Sequence, residues 1–438
     1  MIKWPSGVTP TKEYQAAADF ILNDGGGHIF ITGRAGTGKS TLLRAIRELV
    51  GDKAVVLAPT GLAGVNVGGQ TIHSFFGFPP RLIGREDIRR SRNGRVMRKL
   101  DYLIIDEISM VRSDVMWAID QSLRINRGRA REPFGGVRLI MFGDLHQLPP
   151  VVRGEEVQIL KENYNGPFFF TVPALSEGDG MQYIELQQVF RQTDDRLVNV
   201  LNAIRSGQAT DTHLAVLNER VHPIRTLSEG QAYVILTPTN AAANRINLAY
   251  LNALAGDETV FEAGVSGDFN NNSFPTESAL TLKPGAKVML LRNDPDQRWV
   301  NGTIAEIARL TSDRVWVRVK GRDHEIEPVS WENRRYAFDK ETEKVVETIA
   351  GTFKQFPLRL AWALTIHKSQ GLTLDNVYID FGRGTFVHGQ AYVALSRCRS
   401  LEGMALARTL RPADILFDPE AAAYEQLFPA LQTFTSVN

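Results

Sequence analysis

The feature that most constrains this chain is an eight-residue run near its N-terminus, Gly33-Arg34-Ala35-Gly36-Thr37-Gly38-Lys39-Ser40. It fits the pattern G-x-x-x-x-G-K-[ST] in full, and it stands between an apolar run, 28–32, and a helical pattern, 41–50. Glycines at these positions let backbone N–H groups turn inward around phosphate oxygens. The helix that follows points the positive end of its dipole at the same anion. Lys39 is expected to reach the β- and γ-phosphates of a nucleoside triphosphate, and Ser40 to bind Mg²⁺. A strand, loop and helix joined in this way need a parallel sheet to sit on. The neighbouring sequence supplies one: buried-strand runs at 54–58, 102–105 and 137–142 alternate with helical patterns.

At 438 residues the chain exceeds the roughly 250–300 residues that one core can hold, so at least two core domains are expected. The α/β texture returns at 183–186, 232–236, 358–364, 377–379 and 404–407, which predicts a second α/β domain beginning near Pro173 to Gly180. Closely spaced strand-like runs at 287–291, 303–310, 315–320 and 324–329, punctuated by Asn301-Gly302 and Gly321, predict a small β-barrel inserted into it. The polar stretch 269–275 reads as a loop. The expected fold class is therefore α/β with two P-loop-type domains. The second begins near residue 176 and carries the β-rich insertion at 287–355.

No apolar run approaches the ~18 residues of a membrane span, and Met1–Gly7 lacks the apolar core of a signal peptide. The single cysteine, Cys398, excludes an internal disulfide and a thiolate metal cluster, which leads us to expect a reducing compartment, the cytoplasm. The net charge of +1 says little about partners, but its distribution says more. Arg81, Arg85, Arg89, Arg90, Arg92, Arg95, Arg98 and Lys99 crowd one stretch, and Arg124, Arg127, Arg129 and Arg131 another. Such clusters can neutralise phosphates, or simply form a solvated face.

Asp106-Glu107 ends the 102–105 run. A carboxylate there can hold Mg²⁺ opposite Ser40, and the next can polarise the attacking water, so Asp106 is read as the metal carboxylate and Glu107 as the general base. Gln147, in Gly143-Asp144-Leu145-His146-Gln147-Leu148-Pro149-Pro150, stands where a side chain could sense the γ-phosphate. Arg191 and Arg397 are far along the chain. They could bring positive charge to the transition state from a second domain, which would couple hydrolysis to domain closure.

In order and content these runs resemble the motifs of superfamily 1 DNA helicases, above all the Pif (petite integration frequency) family, with the phage Dda and RecD-type helicases as relatives. The runs that carry the resemblance are 33–41, Ala58-Pro59-Thr60-Gly61, Thr71-Ile72-His73-Ser74-Phe75-Phe76, Ile105–Met110 and 143–150. They continue with Val189-Phe190-Arg191-Gln192, Thr365-Ile366-His367-Lys368-Ser369-Gln370-Gly371 and Tyr392–Arg397. The resemblance implies two RecA-like domains with ATP and Mg²⁺ in the cleft between them. It implies that Gln15 reads the adenine and that Gly33, Ala35, Gly36, Thr37, Gly38, Lys39, Ser40, Thr41 and Gly371 approach the nucleotide. It supports Gln147 as γ-phosphate sensor, with Arg191 and Arg397 as arginine fingers. Single-stranded DNA would cross Pro59, Thr60, His73, Ser74 and Phe75 on the first domain and Thr365, His367 and Lys368 on the second. Hydroxyls and amides suit phosphates there, and aromatics suit bases. The first domain would then span 1–76 and 100–175 and the second 176–286 and 356–438, with 77–99 a strand-separating wedge insertion (candidates Phe78, Pro79 and Pro80) and 287–355 an SH3-like barrel.

The implied activity is 5′ to 3′ unwinding by a monomeric motor acting on single-stranded DNA, single/double-strand junctions and G-quadruplexes. The alternatives are a 3′ to 5′ superfamily 1 helicase and a DNA-stimulated ATPase that remodels protein–DNA complexes without unwinding. The absence of a long N-terminal extension points to a bacterial or phage-type core. Ser396 stands where relatives often carry Thr before the arginine.

Overall fold

The computed structural model describes residues 4, 8, 10–22, 26–177, 180–339, 341–342 and 344–427. Of the N-terminal run Met1–Gly7, only Trp4 is among them.

The first domain is built on a six-stranded sheet in the order Gln70–Thr71, Ala54–Ala58, Tyr102–Ile105, Arg138–Phe142, His28–Gly33, Met181–Leu186, with every neighbouring pair parallel. Its inner strands are apolar on both faces because helices cover both. One face packs around Phe30, Leu103, Ile105 and Met141, and the other around Ile29, Ile31, Ile104 and Ile140. The two sets alternate along each strand, as the two-residue repeat of a strand requires. The sixth strand is a correction. From its α/β texture the run at 183–186 is expected in the second domain. Instead it pairs with His28–Gly33 from His28↔Met181 to Gly33↔Leu186, so the first domain extends through Leu186.

The second domain has four parallel strands in the order Ala363–Thr365, Val234–Thr237, Val377–Ile379, Met404–Leu406. The apolar stretch 358–364 is two strands, not one. Leu358–Leu360 joins an antiparallel sheet, and Ala363–Thr365 joins the parallel one. Buried Trp362 marks the change, its ring stacked on Tyr250 and its indole N–H bonded to Gln231.

The β-rich insertion is larger than 287–355. Five antiparallel strands run in the order Arg322–Ile326, Val315–Val319, Ile304–Leu310, Lys287–Leu290, Leu358–Leu360. A long hairpin, Val329–Phe338 with Val345–Gln355, pairs with Gly264–Gly267, and Thr259–Glu262 pairs with Ala279–Leu282. The stretch 269–275 is more than a polar loop: Phe269 is buried and Phe274 packs against Phe353.

The hairpin also leans on the first domain. The Tyr336 hydroxyl accepts from the Val56 amide at 2.9 Å, and its ring meets Phe75 edge-on. Phe75 is 1% exposed and also packs on Phe76. In this arrangement the enclosed Phe75 ring offers no face to a base, so the base contact expected of it would require the ring to be uncovered. Phe78 stacks on Phe76 and is buried, which fits loop packing and not a bare wedge tip.

Candidate functional site

The phosphate loop has the backbone its sequence demands. Gly36 and Gly38 lie at φ 85° and 83°, in the left-handed region that side chains disfavour. A Cβ on Gly36 would also collide with the Cβ of Arg191, and one on Gly38 with the hydroxyl of Tyr14. Glycine is needed here for close approach as much as for its backbone angles. The Tyr14 hydroxyl donates to the Gly38 carbonyl at 2.8 Å, and the Thr37 hydroxyl to the Arg34 carbonyl at 2.9 Å. The helix Lys39–Val50 then begins, with Ser40 and Thr41 exposed at its first turn. Lys39 folds back onto its own loop, its ammonium donating to the carbonyls of Gly33 at 2.6 Å and Arg34 at 3.1 Å. Burial lowers its pKa, while the nearby Asp144 and Glu107 carboxyls oppose that shift.

Opposite the loop, Asp106 and Glu107 follow the strand Tyr102–Ile105. Glu107 has φ 49°, an uncommon conformation for a side-chain-bearing residue, of the kind found where a site constrains the backbone. Desolvation pushes both carboxyls up. For Glu107 burial, and then the neighbouring Asp106 charge, lift the pKa to about 7. Among the described residues there is no cluster of three metal-ligating side chains.

The second domain closes the site with guanidinium groups. Arg191 donates to the carbonyls of Gly371 at 3.1 Å and Ser396 at 3.4 Å, and its buried Nε has no partner. Arg397 is 1% exposed and donates to Val393 O at 2.8 Å, Ser369 O at 3.3 Å and Ser396 Oγ at 2.8 Å. Neither makes an ion pair among the described residues. Burial lowers the pKa of both, to about 10 for Arg191, and for Arg397 the Arg191 charge adds to it. The two guanidiniums, one half-buried and one fully buried, bond only to neutral oxygens, and the Glu107 and Asp144 carboxyls oppose the fall in the Arg397 pKa from a distance.

A cleft of about 1440 Å³ runs between the domains. Its walls include Ser40, Asp106, Glu107 and Gly371, and also Thr60, Thr365, His367 and Lys368. Four of the nucleotide-site candidates and half of the nucleic-acid candidates thus share one continuous space, whereas the phosphate-loop residues before Ser40, Gln147, Arg191 and Arg397 are not among its walls. Thr60 and Lys368 are exposed, whereas Thr365 is buried and its hydroxyl accepts from the Lys368 amide at 3.2 Å. Pro59 adjoins Thr60 and is half-buried. His73 and Ser74 lie outside these walls. His73 is half-buried, its pKa lowered by burial and then by Arg112, and Ser74 Oγ accepts from Gln70. Gln15 is half-buried on the helix Lys12–Leu22, between Trp4 and Asp19.

Gln147 donates its amide to Asp144 Oδ2 at 3.1 Å. Asp144, Tyr392 and Arg205 were not singled out from sequence. The Tyr392 hydroxyl accepts from the Ala35 amide at 3.0 Å, so the second domain touches the phosphate loop directly. Asp144 and Tyr392 lie inside runs already recognised, and attention to the polar residues of those runs would have found them. Arg205 gave no local signal.

The sequence of residues 10–213 matches the model of the PIF1-like helicase family. The ATP-dependent DNA helicase Pif1 of Bdellovibrio bacteriovorus is 34% identical over 97% of this chain and 95% of its own length. Among solved structures, unliganded Pif1 from Bacteroides sp is 37% identical, with 96% of this chain and 97% of that one covered and a TM-score of 0.87. For Bacteroides Pif1 bound to ssDNA, identity and coverage are the same but the TM-score is 0.68. Motif content, two-domain cleft and likeness over nearly the whole length agree, and this chain belongs to the PIF1-like helicases, the ATP-dependent DNA helicases of that family.

Proposed function

We propose that this chain moves 5′ to 3′ along single-stranded DNA and separates the strands of a duplex ahead of it, powered by ATP hydrolysis at the seam between its two α/β domains. The observation that carries this reading is the pair Arg191 and Arg397 beside the phosphate loop: the Arg191 backbone abuts Gly36, the Arg397 charge acts on Glu107, and neither guanidinium has a direct ion pair among the described residues. A γ-phosphate is the anion that would complete them. Its arrival would draw the domains together, and its loss would let them part.

In this reading Lys39 and the amides of Gly33–Thr41 hold the phosphates, and Gln15 reads the base. Ser40 and Asp106 hold Mg²⁺, whose role is to neutralise phosphate charge. Glu107 takes the proton of the attacking water, Gln147 senses the γ-phosphate, and Gly371 lies against the nucleotide. Single-stranded DNA follows Pro59, Thr60, His73 and Ser74 across to Thr365, His367 and Lys368. The lower likeness to the ssDNA-bound relative fits a chain that rearranges when DNA enters. Junctions and G-quadruplexes are substrates on which the same pulling would act, and one chain contains both halves of the site, so a monomer suffices.

Unwinding of duplexes with a 5′ tail or a 3′ tail tests the reading. We expect separation of the 5′-tailed duplex alone. Separation of only the 3′-tailed duplex would reverse the polarity, and DNA-stimulated ATP turnover with neither separated would leave a remodelling ATPase.

A further inference from the structure

Behind the Gly143–Pro150 turn, ionisable side chains from four parts of the chain meet around one arginine. Arg205 is the last residue of the helix Asp195–Arg205, whose Leu197, Val200, Leu201 and Ile204 belong to the core of the second domain. Its guanidinium reaches Asp144 Oδ1 at 3.3 Å, Glu185 Oε1 at 3.2 Å and Glu425 Oε1 at 3.3 Å. Asp144 and Glu185 stand on the first domain. Glu425 comes from the C-terminal helix Pro419–Gln426, which crosses back to the first domain and stacks Tyr424 on Phe170 at 4.0 Å between centroids. The other oxygen of Glu425 meets His146 Nε2 at 2.8 Å, and the His146 ring stacks on Phe417.

The consequence falls on Gln147. Asp144 is 1% exposed. Its Oδ2 accepts the Gln147 amide, and its Oδ1 is shared by Arg205 and the His146 amide. Burial alone would raise its pKa, but the Arg205 and Lys39 charges overcome this and hold it ionised. Two cations therefore compete for one carboxylate, and the second is the phosphate-loop lysine. With Arg205 in place, Asp144 is held away from Lys39 and the Gln147 amide has a fixed support.

We propose that Arg205 is a positioning residue for ATP hydrolysis. It anchors Asp144, Asp144 anchors Gln147, and Glu425 of the C-terminal helix braces Arg205 from the far side, so the sensor is set only while the second domain is seated on the first. This rests on the reading of Gln147 as γ-phosphate sensor.

The test uses the full chain with Arg205→Lys, Asp144→Asn and the double variant. It measures oligo(dT)-stimulated ATP turnover, fluorescent-ADP affinity and thermal melting. A lysine keeps the charge but cannot reach three carboxylates at once. We expect kcat to fall by about 100-fold, as for a misplaced catalytic group. KM for ATP and ADP affinity should stay within about twofold. The double variant should be no worse than the poorer single one. Unchanged kcat, additive losses, or a parallel loss of ADP binding would each overturn the proposal. Glu425→Gln guards against a folding failure: it should lower kcat a few-fold with KM unchanged, and normal kcat there would also overturn it. Gln147→Ala, measured alongside, separates the two layers. If it turns over normally, the sensor reading fails. If it does not, and Arg205→Lys does, only the present inference fails.

Discussion

The two α/β domains share a parallel sheet and little else. The first has six strands and places a glycine-rich loop, a lysine and two carboxylates at one end of its sheet. The second has a four-stranded sheet and, among the described residues, no such loop, and it contributes Arg191 and Arg397 from two irregular segments. One domain is a complete phosphate holder, and the other is an incomplete site that makes sense only when the first is loaded. A motor needs this asymmetry. Two complete holders would each bind nucleotide independently of the other, whereas one holder facing one set of bare cations turns nucleotide chemistry into a force between domains.

If the division is real, damage to the two sides should read out differently. In the proposed reading Arg397→Ala removes the transition-state cation, along with its hydrogen bonds to Val393, Ser369 and Ser396, so we expect kcat to fall by about 10³-fold or more with ATP affinity nearly intact and folding checked by thermal melting. Unchanged turnover would remove Arg397 from the chemistry. Lys39→Ala on the holder should weaken ATP binding as well as turnover, and full DNA-stimulated activity in that variant would refute the assignment of the loop. Equilibrium binding of a non-hydrolysable ATP analogue beside steady-state kinetics separates the two patterns.

The next effect is on stability. Phe75 joins the first domain to the hairpin of the insertion through Tyr336, and its ring is enclosed. Phe75→Ala should destabilise the protein by about 3–5 kcal/mol, the usual loss for a buried phenylalanine, while Phe75→Leu loses much less. Denaturant melts give the numbers. A Phe75→Ala protein of normal stability with weakened DNA binding would restore the stacking role that burial denies it.

Legibility in the sequence followed locality. The phosphate loop is readable because all its chemistry is contiguous, and Asp106 and Glu107 because they directly follow an apolar strand, whereas Gln147 stands out only through the resemblance of its run. The strand Met181–Leu186 was placed in the wrong domain because its pattern encodes burial and not which neighbour it pairs with. The split at Ala361-Trp362 was hidden for a similar reason: both halves are apolar, and only pairing shows that the chain changes sheets there. Phe75 sits between a histidine, a serine and another phenylalanine, a composition equally fit for core or for base stacking. Arg205 ends an amphipathic helix, where an arginine is ordinary. Its three carboxylates lie 20, 61 and 220 residues away, beyond any local pattern.

The holder side can be tested without nucleotide. Glu107 has its pKa raised to about 7 by burial and by Asp106. As a base it must be deprotonated, so competence should fall as pH drops through that value and be complete well above it. Isotope-edited infrared titration of the nucleotide-free protein should show a carboxylic acid band at pH 6 that disappears above pH 7–8 and is absent in Glu107→Gln. A carboxylate already ionised at pH 5 would mean that the site supplies more positive charge than its free-state geometry implies.

The smallest effect probes where the division blurs. Tyr392 belongs to the second domain, yet its hydroxyl accepts from the Ala35 amide of the phosphate loop. That amide is one of the groups expected to turn toward phosphate, so the tyrosine would occupy it in the free state and yield it on binding. Tyr392→Phe leaves a buried N–H without its partner before nucleotide arrives, which raises the free state by about 1 kcal/mol. Nucleotide should then bind up to about fivefold more tightly, with the off-rate carrying most of the change. Fluorescent-ADP titration and chase would measure both. Unaltered affinity would mean that the hydrogen bond survives in the loaded state, which would make Tyr392 a permanent part of the holder and place the boundary between holder and cation donor inside the helix Gln390–Leu395 instead of at the cleft.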